Sequence, residues 1–291
     1  MERRWGAAIA AITLGSVVAV GLIAAVIAFA STRAEPPARC AAGMIAVGAR
    51  CCGEGQRLEG ERCAGTPSRC AKGVEVTPDG CIAAPRVVRI EGGLLRIGAG
   101  DWEAQGVVAP YQAQVAAFGI DAIEVTEQRW NACVAAGACP SIRLSGEAGR
   151  AVSGVTRDEA ARFCGWAGAA LPTSDQLAFA AAGPKGRRYP WGDTGAVCRR
   201  AAWGLTTGPC AWGAQAPELA GSHPEGASPE GVLDLGGNVA EWAVTAEGTA
   251  EVRGGSFADG AASALRSWQR HAVSPDTRSP RIGFRCARSA P

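Results

Sequence analysis

Cysteine offers the most chemistry in this 291-residue chain, which holds twelve cysteines but only two histidines, His223 and His271. A composition rich in cysteine and poor in histidine is typical of two kinds of protein: those that bind metal through thiolates and those that are cross-linked by disulfides. The segment that precedes the cysteines helps to decide between them, because it indicates the compartment in which the thiols lie.

The first six cysteines form a repeat with the pattern C-x2-G-x7-C at residues 40–51, 52–63 and 70–81. Each unit places a glycine at the same position, as expected if each makes the same turn with a positive φ angle; these are Gly43, Gly55 and Gly73. A zinc site is the alternative, although tight C-x2-C spacing and histidine are both absent. The repeat symmetry favours one disulfide in each unit, namely Cys40–Cys51, Cys52–Cys63 and Cys70–Cys81.

The N-terminal residues 6–30 form an uncharged, mostly apolar stretch that is long enough to cross a bilayer. Arg3 and Arg4 precede it, so the positive-inside rule places everything after it outside the cytoplasm. A cleaved signal peptide is the alternative, because residues 28–30 (Ala-Phe-Ala) have the small-x-small form of a cleavage site. In both cases the cysteines enter an oxidising space, which favours disulfides.

Composition and charge indicate the cellular location of the protein and limit the classes of partner that it can bind. The bias toward Ala, Gly and Arg, with Lys72 and Lys185 as the only lysines, is typical of a GC-rich bacterial genome. We therefore predict a single-pass protein of the bacterial inner membrane with its C-terminal part in the periplasm, or a secreted protein if the leader is cleaved. Residues 34–291 carry 26 basic and 26 acidic side chains, which argues against nucleic acid as a partner.

The sequence predicts three parts. Residues 1–33 form a cytoplasmic tip and a transmembrane anchor or signal peptide, residues 34–85 form a Cys-rich triple repeat that serves as a stalk, and residues 86–291 form the main domain. The stalk has few large apolar side chains, so cross-links replace a hydrophobic core there.

In the main domain, a few capped helices and short strands are expected among long loops. Residues 87–97 read as two strands joined by a Gly-Gly bend. Thr126 is placed to cap a helix over EQRWNACVAAG, and Thr156 with Glu159 forms a capping box before AARFCGWAG. A third short helix is expected over SDQLAFAAA, and residues 183–291 are expected to be loop-dominated.

Seven strings occur in one order along this domain: EGGLLRIG (91–98), IDAIEVT (120–126), VTRDEAARFCGWAGAALPT (155–173), YPWGD (189–193), GVLDLGGNVAEW (231–242), RGGSF (253–257) and IGFRC (282–286). As a set they resemble the formylglycine-generating enzyme (sulfatase-modifying factor) family over about 200 residues. The resemblance implies an α+β fold with low regular secondary structure, distantly related to C-type lectins, for residues 86–291.

Active members of that family oxidise a cysteine of a target sulfatase to formylglycine with oxygen and a copper ion, which two thiolates hold just after the RGGS[WF] string. Residues 257–281 of this chain contain no cysteine, and the two positions fall approximately on Asp259 and Ala262. Soft Cu(I) needs such thiolate ligands, so no copper is expected. The resemblance assigns Cys286 to a structural bridge with Cys164.

Further departures from the family pattern surround the active-site region. Ala240 stands where the family has a Trp near the oxygen pocket, and the string after LPT degenerates from Ser174 onward. A second family disulfide is lost, with Ala181 at one of its ends. Ser256 matches a residue that lines the pocket, but the sequence identifies no His or acidic partner beside it, so a turn role is expected.

The resemblance also implies a calcium site in GVLDLGGNVAEW. A side-chain oxygen at Asp234, backbone carbonyls at Gly237 and Val239, and the carboxylate of Glu241 would supply the hard ligands that Ca²⁺ requires. A polar turn without an ion is the alternative. The family's second calcium site is not expected, because residues 198–204 lack its asparagine.

The remaining cysteines complete an oxidised scaffold in which all twelve are paired. Cys133 and Cys139 are placed to close the end of the first helix, and Cys198 and Cys210 to close the loop after YPWGD. Because all twelve cysteines are assigned to disulfides, a structural role is favoured over redox catalysis.

Two classes of function remain. The leading hypothesis is a membrane-anchored extracytoplasmic binding or scaffold protein whose degenerate domain holds an exported protein, peptide or glycan, with Trp191, Trp212 and Trp268 as candidate stacking surfaces. The alternative is an enzyme of the family's non-heme iron branch with altered oxidase chemistry, which would have to build its site on His223 and His271. Formylglycine formation by an unrecognised route is a third hypothesis.

Overall fold

The computed structural model of the chain describes residues 44–47, 50–59, 62–69, 74–77, 80–83, 86–98 and 108–290. The predicted membrane segment at residues 6–30 lies outside them, as do Gly43, Gly73, Cys40 and Cys70 and the side chains of the other repeat cysteines. The three repeat disulfides and the anchor therefore stay predictions. Among the described residues, no helix has the length and apolar character needed to cross a membrane.

Each unit of the cysteine repeat contains one β-hairpin. The strands are β1 Met44–Val47, β2 Arg50–Gly53, β3 Arg57–Glu59, β4 Arg62–Ala64, β5 Val74–Thr77 and β6 Gly80–Ala83. The register is the same in all three, because the second cysteine of each unit pairs with the residue five positions before it: Ala46 with Cys51, Leu58 with Cys63 and Val76 with Cys81. Gly55 has the positive φ, 89°, that the repeat predicts.

Two short sheets and one hairpin form the strand framework of the main domain. The strands are β7 Val87–Ile90, β8 Gly93–Ile97, β9 Tyr111–Val115, β10 Phe118–Asp121, β11 Ala240–Val244, β12 Ala250–Arg253, β13 Arg270–Ala272, β14 Ile282–Gly283 and β15 Ala287–Ser289. One sheet has the order β15-β10-β7 and the other the order β13-β12-β11-β14, while β8 pairs with β9. The Gly-Gly bend therefore separates two strands that belong to different sheets.

Three capped helices support these sheets, as the sequence predicts. They are α1 Glu127–Ala135, α2 Arg157–Trp166 and α3 Ser174–Ala182, with Thr126, Thr156 and Thr173 as their N-caps. The Thr156–Glu159 capping box forms, and α3 has a second one in which Gln176 takes the place of the glutamate. Between Ala182 and Ala240, all of which is described, the only helical segment is a 3₁₀ turn at Pro224–Gly226.

The core lies between the helices and the sheets. Trp130, Phe163 and Phe284 contact one another with ring centroids 5.4 to 6.1 Å apart, and the Cys164–Cys286 disulfide lies in the same buried cluster. The Trp242 indole N–H donates to the Val155 carbonyl at 3.0 Å. This cluster fixes the C-terminal end of the chain against α1 and α2, and so fixes the position of the loop before β11.

Three disulfides are described, Cys133–Cys139, Cys164–Cys286 and Cys198–Cys210. They are the three pairings that the sequence analysis gives for the main domain, and no described cysteine is free. Disulfides persist in oxidising compartments, so they indicate an extracytoplasmic or secreted domain.

Candidate functional site

The loop of residues 231–242 has an unusual backbone. Asp234 (φ 54°) and Asn238 (φ 57°) are the only described non-glycine residues with a positive φ, a conformation that L-residues adopt at a cost. Gly237 (φ 98°) cannot be replaced without a clash, because a Cβ there would lie 2.6 Å from the Ala202 carbonyl oxygen. Such strain is concentrated at functional loops, so this loop is the first candidate site.

Asn238 connects this loop to four other parts of the chain. Its backbone N–H donates to the Ala202 carbonyl at 2.8 Å, and its carbonyl accepts from the Phe257 N–H at 2.8 Å. Its side-chain Oδ1 accepts from the Glu218 N–H at 2.8 Å, while Nδ2 donates to Glu124 Oε2 at 3.3 Å. Asn238 was not among the residues predicted for the site, although it is part of the GGN motif.

Three carboxylates are buried together at this loop: Asp234 and Glu241, which belong to it, and Glu124. Arg285, which is fully buried, donates to both oxygens of Glu241 at 2.7 Å through Nε and Nη2. Arg285 also donates to the carbonyls of Asp121 and Leu233, at 3.0 and 2.7 Å. One arginine therefore neutralises one carboxylate, and the cluster retains an excess of acidic groups.

The pKa values of the three buried carboxyl groups are all raised. Burial, and after it the negative charge of Asp234, raises the pKa of the Glu124 carboxyl well above its usual range. Burial also raises the pKa of Asp234 and of Glu241, although His223 opposes the shift at Asp234 and Arg285 opposes it at Glu241. Glu124 Oε1 accepts no hydrogen bond from the described residues. A proton or a cation is therefore needed to balance the charge.

The predicted calcium ligands fit this cluster in part. Asp234 lies in it and contributes a buried carboxylate, whose Oδ2 accepts from the Gly221 N–H. The carboxylate of Glu241, in contrast, is fully matched by Arg285. In the described chain, no group of three or more His, Cys, Asp or Glu side chains has the arrangement of a metal site. Glu124, unlike Glu241, has one carboxylate oxygen without a hydrogen-bond donor in the described structure.

Asp259, one of the two positions assigned to copper cysteines, forms part of a closed turn. Its Oδ2 accepts from both the backbone N–H and the hydroxyl of Ser256, each at 2.7 Å, and its own N–H donates to the Ser256 carbonyl at 3.1 Å. The expectation that Ser256 has no acidic neighbour is thus wrong, because the carboxylate three residues later reaches back to it. The contacts are those of a turn, since no histidine accompanies the pair as a base.

The two histidines occupy different environments. His223 is buried, with Nε2 2.7 Å from Glu218 Oε2; burial lowers its pKa, but the hydrogen bond and charge of Glu218 outweigh this and raise it. His271 is exposed on β13, with Nε2 2.8 Å from the Gln269 Nε2 atom. His223 therefore contacts Glu218 and His271 contacts Gln269, so each imidazole has a different partner.

The three candidate stacking tryptophans are all half-buried and pack on cores. Trp191 stacks on Tyr189 with ring centroids 5.0 Å apart and donates to the Thr194 carbonyl at 3.0 Å. Trp212 packs with Trp191 on a cluster around Trp203, while Trp268 packs on a different cluster and also lines a cleft. Of the three, Trp268 is therefore the one that borders a described cavity of ligand size.

The irregular α+β fold and the Cys164–Cys286 bridge are those that the resemblance to sulfatase-modifying factors implies, so the domain is sulfatase-modifying-factor-like. The chain belongs to the FGE-sulfatase family: the model of the sulfatase-modifying factor enzyme 1-like domain matches residues 74–290. This confirms the resemblance inferred from the seven motifs.

Comparison with known proteins adds relatives and neighbours of the fold. The chain is 36% identical over 151 residues to the inactive C-alpha-formylglycine-generating enzyme 2 of Mus musculus and of Bos taurus. The match covers 47% of this chain and 48% or 49% of each relative, so it spans about half their length.

Solved structures share the fold at low identity. Treponema denticola variable protein 1 aligns with a TM-score of 0.56 and 19% identity, over 72% of this chain and 96% of its own. PvdO from Pseudomonas aeruginosa aligns with a TM-score of 0.56 and 20% identity, over 74% and 96%. These matches support the predicted α+β fold of low regular secondary structure.

Proposed function

We propose that this chain is a membrane-anchored, extracytoplasmic binding or scaffold protein with a catalytically degenerate sulfatase-modifying-factor-like domain. The absence of cysteine from residues 257–281 carries the proposal, because oxidase chemistry of this family requires a thiolate pair there. The turn between Ser256 and Asp259 also supports the proposal. Asp259 stands at one of the two positions assigned to copper-binding cysteines, and its carboxylate accepts hydrogen bonds from Ser256 instead of holding a metal. The relatives that carry the name inactive support it as well.

The uncharged residues 6–30, with Arg3 and Arg4 before them, support an anchor in a bacterial inner membrane with the folded part in the periplasm. A secreted protein is the alternative. The disulfides of the main domain are compatible with both, because both place the domain in an oxidising space.

A broad groove supports binding of an exported protein, peptide or glycan. It has a volume of about 670 Å³ and lies between residues 140–143, 153–154 and 278–280. The Arg278–Glu159 ion pair, at 2.6 Å, borders it. This volume is within the range of ligand sites in proteins, so the groove is large enough to bind a ligand. Binding of this kind needs no catalytic group.

We expect no formylglycine from this protein. Incubation of the purified extracytoplasmic portion with copper, oxygen and a Cys-x-Pro-x-Arg peptide will leave the peptide mass unchanged, because no thiolate pair holds the metal. An active formylglycine-generating enzyme treated in parallel is the control and will produce the aldehyde mass. Detection of the aldehyde with this protein contradicts the proposal, and stoichiometric iron in the purified protein favours the iron-enzyme alternative.

We also propose that Ca²⁺ binds at Asp234 and at the carbonyls of Gly237 and Val239. The neighbouring carboxylates of Glu241 and Glu124 contribute negative charge to this site. Saturating calcium should raise the melting temperature by about 5–10 °C, because binding to the folded state at a hundredfold excess over Kd contributes about 2.7 kcal/mol. Mg²⁺ should have little effect, since it prefers a smaller octahedral site.

Asp234→Gly is the matched variant for this measurement, because glycine accepts the positive φ at that position without strain. It should remove the calcium-dependent shift in a thermal melt. If the wild-type chain shows no shift, or if Asp234→Gly keeps it in full, the loop is a polar turn that binds no ion.

A further inference from the structure

A second cavity lies away from the strained loop. It has a volume of about 360 Å³ and is formed by the end of β8, the turn that follows α3 and residues 267–268. Four cationic side chains line it: Arg96, Lys185, Arg187 and Arg188. We call it the basic cleft. None of its lining residues belongs to the groove described above or to the carboxylate cluster.

The described residues that line the basic cleft include more basic than acidic side chains. Asp193 is the one carboxylate among the described residues of the lining, and Glu230 pairs with Arg187 at 3.2 Å from outside it. Arg96 and Lys185 are exposed, and no carboxylate lies within ion-pair distance of either in the described part of the chain. Arg96 and Lys185 therefore favour an anion in the basic cleft.

The turn that carries these cations is fixed by the rest of the fold. The Arg187 guanidinium donates to the Ala180 and Ala181 carbonyls at 3.1 Å, where α3 ends and the helix dipole favours a cation. The Arg188 N–H donates to Asp193 Oδ1 at 2.9 Å, and its carbonyl accepts from the Ser267 N–H at 3.0 Å. A fixed backbone lowers the entropic cost of binding, so the cleft is preorganised.

Two polar side-chain atoms in the segment beside this turn have no partners. Ser267 is 6% exposed, and its hydroxyl has no hydrogen-bond partner in the described structure. The neighbouring Trp268 indole N–H also lacks one, and its ring packs on the core behind the cleft. Buried polar groups without partners are uncommon in folded proteins, and they distinguish this segment from the rest of the core.

We propose that the basic cleft binds an oxyanion, that is a sulfate, phosphate or carboxylate group, either as a free ion or as a substituent of a saccharide. Arg96 and Lys185 supply charge-assisted hydrogen bonds to the oxygens, and Trp268 supplies an apolar wall for the remainder of the ligand. The site is independent of the carboxylate cluster and does not depend on whether the domain has lost its oxidase chemistry.

Lys185 makes the proposal measurable, because the only other lysine is Lys72, in the cysteine repeat. The full chain is acylated with an amine-reactive ester, and the two labelling rates are followed by mass spectrometry. The probes are a heparin-derived tetrasaccharide, digalacturonic acid, sodium sulfate, sodium phosphate and neutral maltotetraose. A saturating oxyanion probe should slow acylation of Lys185 at least tenfold and leave Lys72 unchanged.

Comparison of the charged saccharides with the inorganic salts shows whether the anion is a free ion or part of a saccharide. Protection by the charged saccharides at lower concentration than by the inorganic salts assigns a saccharide ligand, whereas equal or better protection by the salts assigns a free ion. Arg96→Gln should raise the half-protecting concentration at least fivefold, while Arg162→Gln, an exposed arginine on α2, should leave it unchanged. The proposal is overturned by no protection, by equal protection from maltotetraose, by parallel protection of Lys72, or by equal effects of the two arginine variants.

Discussion

Arg285→Met should lower the free energy of unfolding by about 3–5 kcal/mol, the range for removal of one partner of a buried ion pair. Arg285 is fully buried and donates to both oxygens of Glu241 and to two backbone carbonyls. Methionine fills much of the volume but leaves Glu241 as an uncompensated buried acid, next to Glu124 and Asp234. Since a domain is stable by only about 5–15 kcal/mol, this loss is a large part of the total free energy of unfolding.

Urea denaturation of the oxidised protein, followed by tryptophan fluorescence, measures this loss. Arg281→Met is the matched control, because Arg281 is exposed four residues earlier and should change stability by less than about 0.5 kcal/mol. The double variant Glu241→Leu/Arg285→Met should recover part of the loss, since an apolar pair carries no charge into the core. A single Arg285→Met variant as stable as the control would show that the ion pair does not hold the loop.

Removal of Cys164–Cys286 should cost the most of the three described disulfides. This bridge spans 122 residues of sequence, and the chain-entropy model gives about 5 kcal/mol for a loop of that size. Cys198–Cys210 spans 12 residues and Cys133–Cys139 spans 6, for which the same model gives about 3 and about 2 kcal/mol. Cys164 and Cys286 are also fully buried, so alanine at both positions adds a cavity.

Paired cysteine-to-alanine variants test the order without leaving a reactive thiol. Thermal melts under non-reducing conditions should rank them wild type, Cys133→Ala/Cys139→Ala, Cys198→Ala/Cys210→Ala and Cys164→Ala/Cys286→Ala, from most to least stable. A melting temperature for the Cys164/Cys286 pair equal to or above that of the Cys133/Cys139 pair contradicts the loop-length argument.

Local signals in the sequence predicted local structure well. Thr126, Thr156 and Thr173 each mark the start of a helix, because a side-chain oxygen followed by a helical stretch satisfies the free N–H groups of the first turn. The C-x2-G-x7-C repeat predicted three equivalent units, and the described hairpins share one register. These features depend on residues a few positions apart.

Contacts between distant residues were harder to predict. The sequence shows Glu124 and Arg285 within the strings IDAIEVT and IGFRC, but it does not show that Arg285 meets Glu241, 44 positions away. A signal was available at Glu124, since an acid between Ile123 and Val125 in a buried segment requires a partner. Asp259, three residues after Ser256, was likewise visible as a residue able to close a turn.

The last strands of the domain have a consequence for its biosynthesis. β14 pairs in parallel with β11 in one sheet, β15 pairs with β10 in the other, and Cys286 lies between them. Neither sheet is complete until residues 282–289 have left the ribosome, and the Cys164–Cys286 bridge also needs an oxidising compartment. We therefore expect that an exported chain crosses the membrane unfolded, and that its final fold and its longest bridge form only after translocation of these residues.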